Sequence, residues 1–432
     1  MPAVFFSQAL ITAMLEKALL IFIFLLPFQF ALHPAPGVDL AWARLFALGI
    51  VVFWGAKSLL ERRLLLPRPL TLFFLSAFLL WETFSFLWAE NASWAFRKAL
   101  FLLSFLPLFF VFFSLLRQPG FRKKIFQAFA SSAALIGLFS LGQFFSQFIF
   151  GVERVFAFWV KTILPFFLGP TFGEAVASYP SLLVNISGVT VMRASGLFPD
   201  PHMCAFFLGM ALPFAIAFAL ENVSRKRTFW IVCAGIIFIA DLLTFSRGGY
   251  LGLFFGLSAF FLSFIGQTVH RKKHLLHIGA AGLIAAIVIF TSPVGTRLLS
   301  SFSQSDGSNV ERLRLWQEGA ASVAARPWLG TGLGNYPLLV KPSAEYREPI
   351  YAHNLFLDIA LETGLVGLFF FAGWLFLGIW SAWKRWQREG DLVALALFSA
   401  LILFSVHAFF ETPLFSVHIL PILLLIIAAS VF

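Results

Sequence analysis

The chain has 432 residues, 60% hydrophobic and 12% charged, with a mean hydropathy of +0.90. Soluble domains are roughly half apolar and about a quarter charged, so a cytosolic globule is excluded. The net charge of +11 does not point to nucleic acid, because most basic residues sit in short clusters between apolar runs, as topology determinants do.

The composition predicts an all-α polytopic membrane protein, read as one integral membrane domain over 1–432. Cys204 and Cys233 both fall inside apolar runs, which leaves no disulfide framework and no CxxC motif. The first apolar run, Ala18 to Leu32, has no small-residue cleavage site after it and is read as a retained helix. A span needs about 20 mostly apolar residues. That ruler gives twelve candidates: 15–32, 40–60, 69–88, 94–116, 122–150, 201–220, 228–245, 250–268, 275–292, 354–382, 391–410 and 415–432. The runs are continuously apolar rather than alternating, which favours helices over a β-barrel. The fifth and tenth are long enough to tilt or to extend beyond the hydrocarbon.

The loops set the expected orientation. Five short loops carry Lys57/Arg62/Arg63/Arg68, Arg117/Arg122/Lys123/Lys124, Arg225/Lys226/Arg227, Arg271/Lys272/Lys273 and Lys384/Arg385/Arg388, 17 basic residues in all. The opposite side has three short loops with almost none, and 10 spread over the turn at Arg247 and two long loops, 151–200 and 293–352. Clustered Lys and Arg stay cytoplasmic, so both termini are expected inside and both long loops outside. No repeat period and no matched pair of broken helices is visible. Function is therefore expected on the outer face, where the polar residues gather.

In the first outer loop, residues 152–168 alternate aromatics with few charges and predict a helix in the membrane interface. The loop ends in Met192-Arg193-Ala194-Ser195-Gly196-Leu197-Phe198-Pro199-Asp200-Pro201-His202. Arg193 there is either a snorkelling anchor or an anion partner. Phe245-Ser246-Arg247-Gly248-Gly249-Tyr250 predicts a tight outer turn, and arginine at membrane depth suggests an anionic partner. Ser308-Asn309-Val310-Glu311 reads as a capping box that opens a helix ending near Ala325, before Arg326-Pro327. Trp328 to Tyr336 holds three glycines. With no strand before it, the run reads as a structural turn rather than a phosphate loop. The tenth span opens with Tyr351-Ala352-His353-Asn354, and its Asp358 and Glu362 share one helical face. His353 is open to two readings, a base near neutral pH or a structural hydrogen-bonder. Arg97 and Lys98, near the outer end of the fourth span, either face a cavity or snorkel. Glu82, Asp241, His407 and Glu411 are expected to pair inside the bundle, and His202 reads as a possible cap.

His353-Asn354, nine residues, then Gly364-x-x-Gly367 resembles the H-[NSQ]-x9-G-x-x-G signature of the O-antigen ligases. That superfamily also holds O-antigen polymerases and O-linking oligosaccharyltransferases. Arg193-x-x-Gly196, Ser246-Arg247-Gly248 and Gly330-x-Gly332 resemble its further landmarks, in the same order. The resemblance covers essentially the whole chain, and the histidine motif is moderately specific to the superfamily.

The resemblance implies a metal-independent, inverting glycosyltransferase without cofactor, a multi-pass protein of the bacterial inner membrane with its active site facing the periplasm. Its donor would be an undecaprenyl-diphosphate-linked O-antigen glycan, its acceptor lipid A–core oligosaccharide, with membrane lipid around it and no nucleic acid. Carried over, Arg193 and Arg247 match the family's essential arginines and His353 its essential histidine. Arg97, Lys98, Arg312, Arg314, Asn354 and Asp358 are the accompanying substrate-binding candidates, and Asp358 is also a candidate to orient the imidazole.

An O-antigen polymerase is the nearest rival, with the same donor chemistry. A protein-directed O-linking enzyme usually carries an added outer domain, whereas this sequence ends at Phe432 within an apolar run. A lipid-glycan flippase would be expected to hold charges at midplane depth, whereas the arginines here cluster at the outer boundary.

Overall fold

The computed structural model describes residues 2–35, 38–178, 181–186, 188–267, 295, 307–346, 348 and 350–432. Helix α1 (Pro2–Leu25) runs into hairpin β1–β2 (Ala31–Ala35, Val38–Ala41), then α2 (Trp42–Leu60) and α3 (Pro69–Phe84). The fourth expected span is two helices, α4 (Ala92–Phe105) and α5 (Leu108–Leu115). Pro107 between them lacks an N–H and its ring collides with the preceding turn, so an unbroken helix is not available. Next come α6 (Phe121–Phe150), α7 (Val152–Phe158), a π-turn over Trp159–Ile163, α8 (Leu164–Leu168), α9 (Pro170–Ser178) and hairpin β3–β4 (Leu183–Ile186, Val189–Met192). The remaining helices are α10 (Pro201–Glu221), α11 (Ser224–Leu242), α12 (Arg247–Gln267), α13 (Gly307–Ala325), α14 (Tyr336–Val340), α15 (Leu355–Glu389), α16 (Leu392–His407) and α17 (Leu420–Val431).

The protein is an all-α polytopic membrane protein. Among the described residues, eight helical stretches are long and apolar enough to cross a membrane. The seventh expected span coincides with α11, whose basic first turn lowers its hydropathy, and the last two coincide with the shorter α16 and α17. The ninth, 275–292, lies outside the described residues. The two antiparallel hairpins were not expected, because each is a short excursion between spans and too small to register as a strand pattern.

Helix α10 is the axis of one half of the bundle. From Pro201 to Ala219 every residue except His202 and Ile216 is buried, as a helix apolar all round requires. Helices α6, α11, α12 and α16 pack around it. Asp200 caps it, accepting from the amides of His202 at 2.7 Å and Met203 at 2.9 Å. Helix α12 approaches α16 through Gly256, where a Cβ would lie 2.8 Å from that of Leu403. Small residues at such crossings are the usual means of close helix contact in a membrane.

Helix α15 bends sharply after its first turns. Gly364 has φ 72 and ψ −178, a backbone only glycine takes readily. The bend exposes the carbonyls of Leu361 and Glu362, which the incoming glycine turn satisfies. Thr331 N–H donates to the first at 2.9 Å and Gly332 N–H to the second at 2.7 Å, while Leu365 N–H reaches Pro327 O at 2.7 Å. The run 328–336 is thus a structural turn that locks the first segment of α15, carrying His353 at its head.

Candidate active site

Arg193 is delivered by the end of β4. Its amide donates to Leu182 O at 2.7 Å, and its guanidinium donates through Nε to Thr244 O at 2.7 Å and through Nη1 to Ser181 O at 3.0 Å. The side chain is buried and ties the loop before α10 to the α11–α12 turn. Two glutamines of α6 hold that loop. Gln143 donates to Arg193 O at 3.0 Å and accepts from the amides of Ser195 at 2.9 Å and Gly196 at 3.0 Å. Gln147 accepts from Met192 N–H at 2.7 Å and returns a bond to Met192 O at 2.9 Å.

Arg247 is the first residue of α12 and is buried, at the end of the tight turn 243–246 that joins α11 to α12. Beside it, Ser246 Oγ lies 2.9 Å from His202 Nδ1, 3.2 Å from His407 Nε2, and accepts from Gly249 N–H at 3.2 Å. His407 in turn stacks on Phe206 at 3.6 Å.

Glu411 is the centre on which these elements converge. It is 3% exposed and accepts from His353 Nδ1–H at 3.0 and 3.3 Å. His202 Nε2 is 3.9 Å and Arg312 Nη2 3.8 Å from the same carboxylate. Burial alone would push the carboxyl up, but the facing His353, His202 and Arg312, with the hydrogen bond from His353, hold it well below the usual carboxylate range. The converse holds for His353. Burial works against its cation, yet the Glu411 charge and hydrogen bond raise its pKa above that of an ordinary histidine. Burial and the nearby Glu411 push Asp200 up to about 6.

His353 has φ 50, packs on the Tyr351 ring at 4.5 Å, and is fixed on both sides along the chain. Asn354 caps α15, accepting from Phe356 and Leu357 amides at 3.1 Å each. Asp358 accepts from Ala352 N–H at 2.8 Å and from the Thr412 hydroxyl. Asp358 therefore steadies the peptide before His353 and does not touch the imidazole. The carboxylate that orients the ring is Glu411, a residue expected from sequence only to pair within the bundle.

The other expected contacts divide. Arg312 reaches Glu411. Arg314 lies on the exposed side of α13, paired with Glu311 at 2.8 Å and Glu318 at 3.8 Å, away from the cluster. Lys98 is bonded to both Glu362 oxygens at 2.7 Å, and Arg97 stacks on Tyr346 at 5.0 Å. Among the described residues no group of three or more metal-ligating side chains occurs. An apolar groove of about 610 Å³ lies between α6 and the α7–π-turn segment, lined by Phe139, Gln143, Phe150, Arg154, Phe158 and Trp159. It borders the Arg193 loop directly, since Trp159 Nε1–H donates to Gly196 O at 3.1 Å and Gln143 serves both.

The O-antigen ligase family model matches residues 231–372. That stretch of the chain is similar to the O-antigen ligase family. The matched stretch contains Arg247, Arg312, His353, Asp358 and the Gly364 bend; Arg193 and Glu411 lie on either side of it. The chain is 26% identical over 238 residues to the exopolysaccharide production protein ExoQ of Rhizobium meliloti (strain 1021), a match covering 50% of this chain and 53% of ExoQ. It is 25% identical over 251 residues to a general O-oligosaccharyltransferase of Acinetobacter baylyi (strain ATCC 33305 / BD413 / ADP1), covering 52% of this chain and 41% of that protein. The chain thus spans about half the length of these curated relatives, or less.

Proposed function

We propose that the protein is a metal-independent, inverting glycosyltransferase of the bacterial inner membrane, with the His353 end of the bundle facing the periplasm. It moves an O-antigen glycan from undecaprenyl diphosphate onto lipid A–core oligosaccharide. The hydrogen bond from His353 Nδ1–H to buried Glu411 at 3.0 Å carries this reading. An ionised carboxylate only accepts, so Nδ1 keeps its proton and Nε2 holds the lone pair of a base.

His353 Nε2 takes the acceptor hydroxyl proton as that oxygen attacks the anomeric carbon. The C1–O bond to the diphosphate breaks on the opposite face, its electron pair leaves with the lipid diphosphate, and the configuration inverts. Glu411 steadies the imidazolium that forms. Charge on the leaving group falls to Arg193 and Arg247, whose guanidiniums cannot lose their protons and grip phosphate in two-point fashion. Donor lipid chain occupies the groove beside α7, whose wall residues Gln143 and Trp159 also hold the Arg193 loop.

The test uses purified protein in detergent with lipid-diphosphate-linked glycan, lipid A–core, a chelator throughout, and a His353→Ala control. Chelator-resistant transfer that vanishes in the variant supports the ligase. Elongation of the donor glycan with bare lipid A–core indicates a polymerase. The Acinetobacter relative is named an O-oligosaccharyltransferase, so a different hydroxyl-bearing acceptor is the second reading, and a parallel arm with acceptor peptide tests it. No transfer in any arm by folded protein refutes the enzymatic reading.

A further inference from the structure

Two guanidiniums apart from the His353 cluster have no carboxylate partner among the described residues. Arg44, in the first turn of α2, is half-buried. Its Nε donates to Ser104 Oγ at 3.2 Å and its Nη2 to Leu100 O at 3.4 Å, both neutral acceptors on α4. Its charge also lies 5.6 Å from the Phe101 ring centre. Arg97, one turn nearer the outer end of α4, is exposed and rests on the Tyr346 ring at 5.0 Å. Tyr346 lies within electrostatic range of Arg44 as well. Their neighbour Lys98 differs, since Glu362 neutralises it through two 2.7 Å bonds. A buried cation without a counter-charge is costly, and at the margin of a membrane it marks an anionic partner. Two planar guanidiniums about one phenol suit an oxyanion with several acceptor oxygens.

We propose that Arg44, Arg97 and Tyr346 bind a phosphate group of the membrane-anchored acceptor. The inference rests on the glycosyl-transfer reading and assigns the acceptor to the α2–α4 side. That side joins the His353 helix through the Lys98–Glu362 pair. Arg193 and Arg247 lie elsewhere, at the α10–α12 side, where Arg193 bonds Thr244 O and Ser246, next to Arg247, meets His202. Acceptor and donor anions are thereby assigned to separate arginine pairs.

An anionic phospholipid headgroup has the same chemistry, so the assay must separate the two. Binding of fluorescent, phosphorylated lipid A–core is measured without donor, in nanodiscs of zwitterionic lipid with and without anionic phospholipid. Arg44→Gln and Arg97→Gln should each weaken binding about tenfold, the size of one charge-assisted contact. Phosphatase-treated acceptor should bind wild type and variants alike. Arg97 makes only a surface contact, so a folding defect in Arg44→Gln leaves the test intact. Unchanged affinity in folded Arg97→Gln overturns the proposal. So does a loss that follows anionic phospholipid rather than acceptor phosphate, which would make this a headgroup site. In turnover, acceptor KM should rise in the variants while donor KM stays put. Because binding is read without transfer, failure of the enzymatic reading appears separately, in the chelator assay.

Discussion

Replacing Glu411 by Gln keeps the side chain's size and removes its charge. In the structure that charge accepts from His353 at 3.0 Å and lies 3.8 Å from Arg312. One charge-assisted hydrogen bond in a buried setting is worth about 2–3 kcal/mol, or roughly 30- to 150-fold in kcat/KM. The amide can also donate, which would stabilise the wrong imidazole tautomer and deepen the loss. The pH dependence has a definite sign. The base must be unprotonated, so activity rises with pH through the His353 pKa. Glu411 raises that pKa above the ordinary histidine value of about 6.5. Removing the charge, with Arg312 left facing the imidazole, should move the acidic limb to lower pH while the plateau falls. Single-turnover transfer between pH 5 and 9 measures both. An unchanged limb, or a plateau within about twofold of wild type, would refute Glu411 as the partner that sets the base.

Arg247→Lys keeps the charge and loses the planar fork, so kcat should fall by more than about tenfold if bidentate gripping matters; near-normal turnover removes that argument. Gln143→Leu leaves the amides of Ser195 and Gly196 and the carbonyl of Arg193 without their partner, and donor KM should rise by about tenfold or more, read in a donor titration. Gly364→Ala would put a Cβ 2.2 Å from Trp328 O in a backbone strained for any side chain, so thermal unfolding should show a loss of at least about 2 kcal/mol. Arg312→Ala should reduce transfer more than Arg314→Ala does, since only Arg312 reaches Glu411; equal losses would contradict that division.

The membrane class and nearly all the helices were legible in the sequence, because twenty apolar residues in a row have one physical outcome in a bilayer. The break at Pro107 and the hairpins at 31–41 and 183–192 were not read, since a local kink or a short excursion leaves apolar content almost unchanged. His353 stood out because a titratable residue at a helix start beside Asn354 is locally conspicuous. Its partner did not. Glu411 lies 58 residues further on, and no spacing rule connects a helix head to the loop after the following helix. Asp358 is nearer in the chain, but helix geometry sends it instead to the Ala352 amide and Thr412.

What the sequence by itself determined is thus the all-α bundle, the position of most spans and the residue types concentrated at one end of it, all consequences of local hydropathy and charge. Tertiary structure alone decided which of those polar residues meet. Packing of α10, α13, α15 and α16 brings Arg312, His202 and His353 onto one buried carboxylate, and a bend that glycine alone takes readily locks the helix that His353 precedes. Hydropathy is a property of neighbours along the chain, whereas a hydrogen bond between helices depends on the register and rotation with which they pack.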